Sequence, residues 1–309
     1  MIEKSDLKII DRVCPVCGSS SDKAQTAVTA HAEPTLDNLQ NILDKWEGFH
    51  SKTCYFTYFR CTNCGVLYNN KYFDDDSINL LYSAIDDNTS GAPLETHDQT
   101  QKEYARILVK AGLQEGPLIE IGPDLGLVAK AITDSSKVTE LFFVEKNILS
   151  HTSLQNISRV IPTQIVTDLE LLEQDVMGTA AVLVHVLDHV LLPKATLELL
   201  HSHLKSDARI LIVVHNEGSF LRKFMRGLWP PFRLQHPHLF SPKSLKFLLE
   251  NSGYTNISVK KSVNYMPLRH AYLLAAQSLG LPKNLAKLLP KVNLPLKLGN
   301  IVATAQVVG

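Results

Sequence analysis

The stretch Leu118-Ile119-Glu120-Ile121-Gly122-Pro123-Asp124-Leu125-Gly126 constrains this chain more than any other. A short apolar run ends at Gly122, a tight turn follows, and helix-like spacing from Leu125 to Ile132 begins directly behind it. Strand, glycine turn and helix in that order form the unit at which an open α/β sheet holds a nucleotide-like ligand. Gly122 and Gly126 let the backbone come close to such a ligand, and the strand-end carboxylate of Glu120 can accept its hydrogen bonds.

From Pro117 onward, strand-like and helical runs alternate, which predicts a parallel sheet covered on both faces. Strands are expected at 118–121, 140–144, about 160–166, 180–186, 208–214 and 257–263, with helices at 194–205 and 242–251. The second of these helices is announced by Ser241-Pro242, a cap followed by proline at the first helical position. Glu145 closes the second strand 19 positions after Gly126. An open nucleotide-binding sheet places an acid there because two carboxylate oxygens match two vicinal ribose hydroxyls.

The chain has 309 residues, 45% of them hydrophobic, enough for one full domain and a smaller one. Its 31 basic and 31 acidic residues sum to zero, so the total charge gives no footprint for nucleic acid, and none is expected as a partner. No apolar run reaches the roughly 18 residues of a membrane span. Met1 to Asp6 lacks a signal-peptide pattern, so a cytoplasmic location is expected.

All five cysteines fall within the first 64 residues, and four form two knuckles, Cys14-Pro15-Val16-Cys17-Gly18 and Cys61-Thr62-Asn63-Cys64-Gly65. A two-residue spacer lets both thiolates of a pair face one ion, and the glycine allows the chain to turn around it. Cys14, Cys17, Cys61 and Cys64 therefore form a candidate closed tetrahedral Zn²⁺ site whose role is structural. Between the pairs lie 43 residues, with helical character over 33–49 and a strand expected over 52–60. Cys54 is read as an ordinary buried thiol. Asp74-Asp75-Asp76 reads as a helix start or solvated face, and 99–110 as a lead-in helix.

Taken together, Glu120-x-Gly122-x-x-x-Gly126, Glu145, the sequence His185-Val186-Leu187-Asp188-His189 and the run His238-Leu239-Phe240-Ser241-Pro242 resemble the class I S-adenosylmethionine-dependent methyltransferases. The resemblance covers about 110–309, and the cysteine knuckles ahead of it resemble a subgroup that includes sugar C-methyltransferases. It implies a seven-stranded Rossmann-like α/β sheet whose last strand, at 301–307, is antiparallel, joined to a small zinc-ribbon-like module. The corresponding divisions are a zinc-binding module at 1–70, a connector and lead-in helix at 71–110, and a methyltransferase domain at 111–309. The middle position of the glycine motif, often glycine in the family, is Asp124 here.

The resemblance implies S-adenosylmethionine held by Glu120, Gly122, Asp124, Gly126, Glu145 and His185. It also implies a small-molecule acceptor, such as a sugar, nucleotide-sugar or glycan-pathway intermediate, beyond the ends of the fourth and fifth strands. Methyl transfer from a sulfonium is an in-line displacement, so the protein must align the partners and, where needed, remove a proton. His238 and His189 are the candidate bases, and the long 218–239 segment, with Arg222, Arg226 and Arg233, is a candidate lid over the acceptor. The insertion at 264–298 is expected to form short helices over the acceptor site or a homodimer contact, with core packing favoured over a membrane-surface role. Two alternatives stand beside this reading: an RNA methyltransferase using the cysteine module for recognition, and a non-catalytic donor-binding or scaffold protein.

Overall fold

The computed structural model describes residues 7–30, 42, 43, 46, 55–83, 94–134, 137–279, 282–297 and 299–308. The order of elements begins β1 (Ile9–Asp11), β2 (Ala24–Val28), β3 (Tyr58–Cys61), β4 (Leu67–Asn69), β5 (Lys71–Phe73), α1 (Asp75–Ser83) and α2 (Leu94–Lys110). The main sheet follows, with β6 (Gly116–Ile121), α3 (Leu127–Thr133), β7 (Val138–Val144), α4 (His151–Gln155), β8 (Thr163–Val166), β9 (Gly178–Val184), α5 (Pro193–Ser202) and β10 (Leu204–His215). After it come α6 (Phe220–Met225), β11 (His238–Leu239), α7 (Pro242–Glu250), β12 (Tyr254–Lys261), β13 (Asn264–Pro267), α8 (Leu268–Leu279), β14 (Asn293–Leu296) and β15 (Asn300–Val307).

Seven strands form the central sheet in the order β12-β15-β10-β9-β6-β7-β8. β15 runs antiparallel to both β10 and β12, while β10, β9, β6, β7 and β8 pair parallel. The seven-stranded Rossmann-like architecture expected from the sequence is therefore present, including its antiparallel last strand. Ala180 to Leu183 of β9 are fully buried, as a central parallel strand with helices on both faces requires. Order reverses between β6 and β9, and the crevice for a ligand opens at the carboxyl ends of these strands.

Several boundaries shift for local reasons. β9 stops at Val184 because His185 adopts φ +55, outside the extended region. Helix α5 ends at Ser202, three residues short of the expectation, since Leu204 already enters β10. The insertion at 264–298 holds a hairpin, β13 with β14, as well as α8, where short helices alone were expected. The hairpin packs on α2 through the bond from the Tyr265 amide to Thr100 Oγ1 at 2.9 Å.

The N-terminal module builds a second sheet, β11-β4-β3-β2, and β11 is contributed by the segment after β10. His238 pairs with Tyr68 and Leu239 with Leu67, so the two parts of the chain share a sheet. Asp74 starts α1, its Oδ1 accepting from the Ser77 amide at 3.0 Å, as a helix-start reading of the aspartate run requires. Of the helix expected over 33–49, Ile42, Leu43 and Trp46 are helical, and the rest lies outside the described residues, as does Cys54.

Candidate functional site

The donor-type turn is built as its glycines suggest. Gly122 and Gly126 take φ +61 and +63, conformations that L side chains rarely adopt. A Cβ at Gly122 would lie 2.8 Å from Val186 Cγ2, so the turn abuts the segment that follows β9. Asp124 takes φ +53 and is exposed. Aspartate is among the few residues that tolerate this region, which is how it replaces a glycine here without breaking the turn.

Glu145 reaches back across the same turn, Oε2 accepting from the Asp124 amide at 3.2 Å and Oε1 from the Asn147 amide at 2.8 Å. A carboxylate has about four lone-pair sites, so two remain for hydroxyls of a ligand. Glu120 behaves differently. It is buried, its Oε2 accepts from the Ala129 amide at 3.2 Å, and burial pushes its carboxyl up to about 8. It ties β6 to the first turn of α3. A small cleft lined by His97, Gln101, Pro123, Asp124, Leu125 and Leu127 opens beside the turn.

Beyond the ends of β9 and β10 the structure gathers five histidine and aspartate side chains from three places along the chain, 185–189, His215 and His236. Asp188 is fully buried, and its Oδ2 accepts from His215 Nδ1 at 2.5 Å and from the His215 amide at 3.0 Å. Burial penalises the Asp188 charge, yet the two neighbouring histidines, His215 and His185, hold its carboxyl well below the usual range. Burial lowers His215 while Asp188 opposes that fall, so the ring is neutral near pH 7. With Nδ1 donating to Asp188, the Nε2 lone pair is the proton-accepting atom. His185 lies alongside, its ring centroid 4.5 Å from that of His215, and its Nε2 accepts from the Asn300 amide nitrogen at 3.3 Å.

A second chain of bonds backs this dyad. The Pro231 carbonyl can only accept, so His236 Nδ1 carries its proton at 2.7 Å and His236 Nε2 is left to accept. His189 Nε2 then donates to it at 3.1 Å, and His189 Nδ1 accepts from the Tyr82 hydroxyl at 2.8 Å. Burial lowers His189 to about 4 and His236 well below its ordinary value, which keeps both rings neutral. His238 sits apart from this chain. It is fully buried in β11, its Nε2 donates to the Leu187 carbonyl at 2.5 Å, and burial lowers it to about 3.

The four knuckle cysteines converge. Their sulfurs all lie within 4.8 Å of one another, with Cys14 to Cys64 and Cys17 to Cys61 at 3.5 Å. Tetrahedral zinc with Zn–S near 2.3 Å sets sulfurs about 3.8 Å apart, close to these spacings. Each knuckle is closed by its glycine amide, Gly18 to the Cys14 carbonyl at 2.9 Å and Gly65 to the Cys61 carbonyl at 3.0 Å. Residues beside the knuckles lock the module to the segments at the ends of β9 and β10. Arg60 grips Glu217 with two bonds, at 2.8 and 3.0 Å, and Arg12 Nη2 donates to the Leu191 carbonyl at 2.8 Å.

The sequence reading singled out His238 and His189 as bases, Glu120, Asp124, Glu145, His185 and the glycines toward the donor, and the four cysteines; of these His238 is turned away into the core. It left Asp188 as a letter in a motif and gave no role to Tyr82 or Arg60. A fully apolar strand ending in His-x-x-Asp-His was the available signal for Asp188, since an acid inside such a run needs a partner.

Comparison with known proteins bears on this geometry. Among curated proteins none matches the chain. Among solved structures, the Haloferax volcanii complex between the Trm112 methyltransferase activator and a putative methyltransferase matches with a TM-score of 0.50 at 12% identity, covering 70% of this chain and 93% of that one. The N-methyltransferase NodS of Bradyrhizobium japonicum, bound to S-adenosyl-L-homocysteine, gives 0.46 at 11% identity over 72% and 93% of the two chains. The 1,6-didemethyltoxoflavin N1-methyltransferase of Burkholderia thailandensis gives 0.47 at 14% over 70% and 81%. Likeness at these identities concerns the fold at most, and the assignment rests on sequence. Residues 96–259, from α2 to β12, match the family described as a methyltransferase domain, and the chain belongs to that family.

Proposed function

We propose that the protein transfers a methyl group from S-adenosylmethionine to a small acceptor bound against the His215–Asp188 dyad. The observation that carries this reading is the 2.5 Å bond between His215 Nδ1 and the fully buried Asp188, at the carboxyl end of the strands beside the glycine turn. Gly122, Gly126 and the backbone of Asp124 fit a donor by close approach, and Glu145 by its two remaining lone-pair sites. When bound there, the donor supplies an electrophilic methyl group on a sulfonium.

The chain's own residues then do three things. Asp188 fixes the His215 tautomer and stabilises the imidazolium that forms when Nε2 takes a proton from the acceptor. The Tyr82–His189–His236 chain holds the adjoining wall neutral and oriented. The segment after β10, tied to the module through β11 and the Arg60–Glu217 pair, excludes water from the dyad.

His215 is the base in this reading, and His189 is a positioning residue one shell behind. His238 is assigned a structural role, because every atom of it is buried and its Nε2 is committed to Leu187. His185, grouped with the donor residues on sequence grounds, is placed at the border of donor and acceptor. A sugar or nucleotide-sugar acceptor is supported by the polar lining at His185, Asn300 and His215, which suits a polyol. The four cysteines are assigned one structural Zn²⁺, since a closed four-sulfur set leaves no position for substrate.

Calorimetry of the zinc-loaded protein with S-adenosylhomocysteine tests donor binding, and labelled donor with fractionated small metabolites tests turnover. Saturable binding in the micromolar to millimolar range is expected. Absence of binding by well-folded protein would sink the donor assignment, and binding without transfer to any fraction would return the chain to a non-catalytic role.

A further inference from the structure

The neutral total charge hides a sharp division. Residues 1–217 carry eighteen Lys and Arg against thirty Asp and Glu, whereas residues 218–309 carry thirteen against a single acid, Glu250. A balanced sum therefore conceals a strongly basic C-terminal third, and such asymmetry signals an anionic partner.

The same third bears the chain's clearest exposed apolar stripe. Phe220, Phe224 and Leu228, spaced by four, are 80, 69 and 63% exposed. The opposite side of this segment is already occupied, Leu221 and Met225 packing against Trp229, Phe232 and Tyr58. Lys223 and Arg226 stand exposed within the stripe, and no carboxylate pairs with them among the described residues. In the 264–298 insertion Leu285, Leu288 and Val292 are also exposed, Leu288 at 81%, interleaved with exposed Lys287 and Lys291.

Both segments leave the sheet at one end. His215 of β10 pairs with Asn300 of β15, the Asn216 amide donates to the Gly299 carbonyl at 2.7 Å, and a Cβ at Gly299 would meet Ser219 Oγ at 3.3 Å. Single exposed apolar residues are ordinary, but two groups of three on segments that leave the same end of the sheet, each interleaved with cations that no carboxylate pairs among the described residues, are not.

We propose that this rim seats the protein on an anionic lipid bilayer, the apolar side chains entering the headgroup boundary while Lys223, Arg226, Lys287 and Lys291 meet anionic headgroups. Phe220 and Phe224 offer aromatic faces to a base, but the other four exposed apolar residues, Leu228, Leu285, Leu288 and Val292, offer none, and this aliphatic majority favours hydrocarbon over RNA. A second copy fits poorly, because a two-fold interface would set these two basic segments against their own copies. No helix among the described residues is long and apolar enough to cross a membrane, so the contact is peripheral.

Sedimentation of the full-length, zinc-loaded protein with vesicles tests this independently of methyl transfer. With about one third phosphatidylglycerol in phosphatidylcholine, bound protein should exceed that on phosphatidylcholine alone by roughly tenfold and fall as salt is raised. The F220S/F224S/L228S variant should lose most of this binding, and K223E/K291E should lose it at low salt, while both keep their zinc content and far-ultraviolet spectrum. Equal partition onto both vesicle types, or undiminished binding by both variants, would overturn the proposal. Binding to homopolymer RNA without binding to vesicles would assign the surface to nucleic acid instead, and a concentration-dependent dimer that the triple variant abolishes, again without vesicle binding, would assign it to a second copy.

Discussion

Two buried constellations organise this molecule, and they are assembled in opposite ways. Cys14, Cys17, Cys61 and Cys64 come as two local pairs, each pre-shaped by its own glycine turn, so that only one long-range step remains. Asp188, His189, His215, His236 and Tyr82 come from four separate places and meet only because the segment after β9, β10, the segment after β10 and α1 pack together. The first is closed on all sides by its own sulfurs. The second keeps His215 and His185 partly accessible, 21 and 30% by side chain, around a carboxylate that is wholly buried. In the function proposed above, the first would saturate a metal with its four sulfurs, and the second would use the one lone pair it leaves open to accept a proton.

The largest effect expected from this contrast lies at the cysteines. Cys61→Ser should abolish bound zinc and cost several kcal/mol, up to about 10, because metal affinity is folding free energy in a small module. Elemental analysis beside thermal melting reads both, and retention of zinc would dissolve the four-sulfur assignment. At the dyad the loss should appear in rate. Asp188→Asn is expected to lower kcat by about 10²- to 10³-fold with donor affinity nearly unchanged, measured by single-turnover transfer from labelled donor and calorimetry. A parallel loss of donor affinity would place Asp188 in the donor site instead.

The tie between the two regions is smaller. Arg60→Ala leaves the Glu217 carboxylate, 5% exposed, without its cation and should destabilise the chain by about 2 kcal/mol, discounted for the half-exposed arginine. Pairing it with Glu217→Gln should recover part of that, and denaturant unfolding of all three variants gives the coupling. The remaining effect is one of pH, in which two opposed contributions partly cancel. His189 and His236 are buried neutral, with His189 lowered from 6.5 to about 4. Between those values the unfolded chain binds protons that the folded chain does not, so stability is complete above pH 6.5 and is lost as the pH falls below it. Glu120 acts in the opposite sense. Raised from 4.5 to about 8, it stays protonated in the fold and weakens stability as pH rises through that window, so Glu120→Gln should gain on the native protein from pH 5 to about 8. Melting curves across pH 4 to 9 separate the two contributions.

The vesicle proposal sharpens the same contrast from outside, since the segment that carries Phe220, Phe224 and Leu228 follows directly on His215 of the open constellation, whereas the cysteine cluster lies on other segments.

Much of the architecture could be read from residues alone. Alternating apolar runs, the turn at 120–126 and Glu145 carried the presence of a parallel sheet and its ligand-binding turn, because parallel strands buried on both faces must be written in continuous apolar residues, whereas the order of the strands was set by the tertiary structure. The cysteine spacing carried the module, because a two-residue spacer is a geometric statement made within one turn of chain. The hairpin at β13 and β14 was not legible, since its pairing depends on the face that α2 offers to Tyr265. Nor was the sharing of β11 with the module, since a two-residue strand carries no period.

What the sequence by itself determined is the turn, the strand-end acid and the two thiolate pairs, each a short-range pattern whose chemistry is complete within a few residues. Only the tertiary structure decided which histidine faces a carboxylate. His238 and His215 each border an apolar run, on opposite sides of it, yet one ring is buried against Leu187 and the other set on Asp188. The physical reason is that a histidine's role follows from its desolvation and from the partner of its second nitrogen, and both are set by residues far away along the chain.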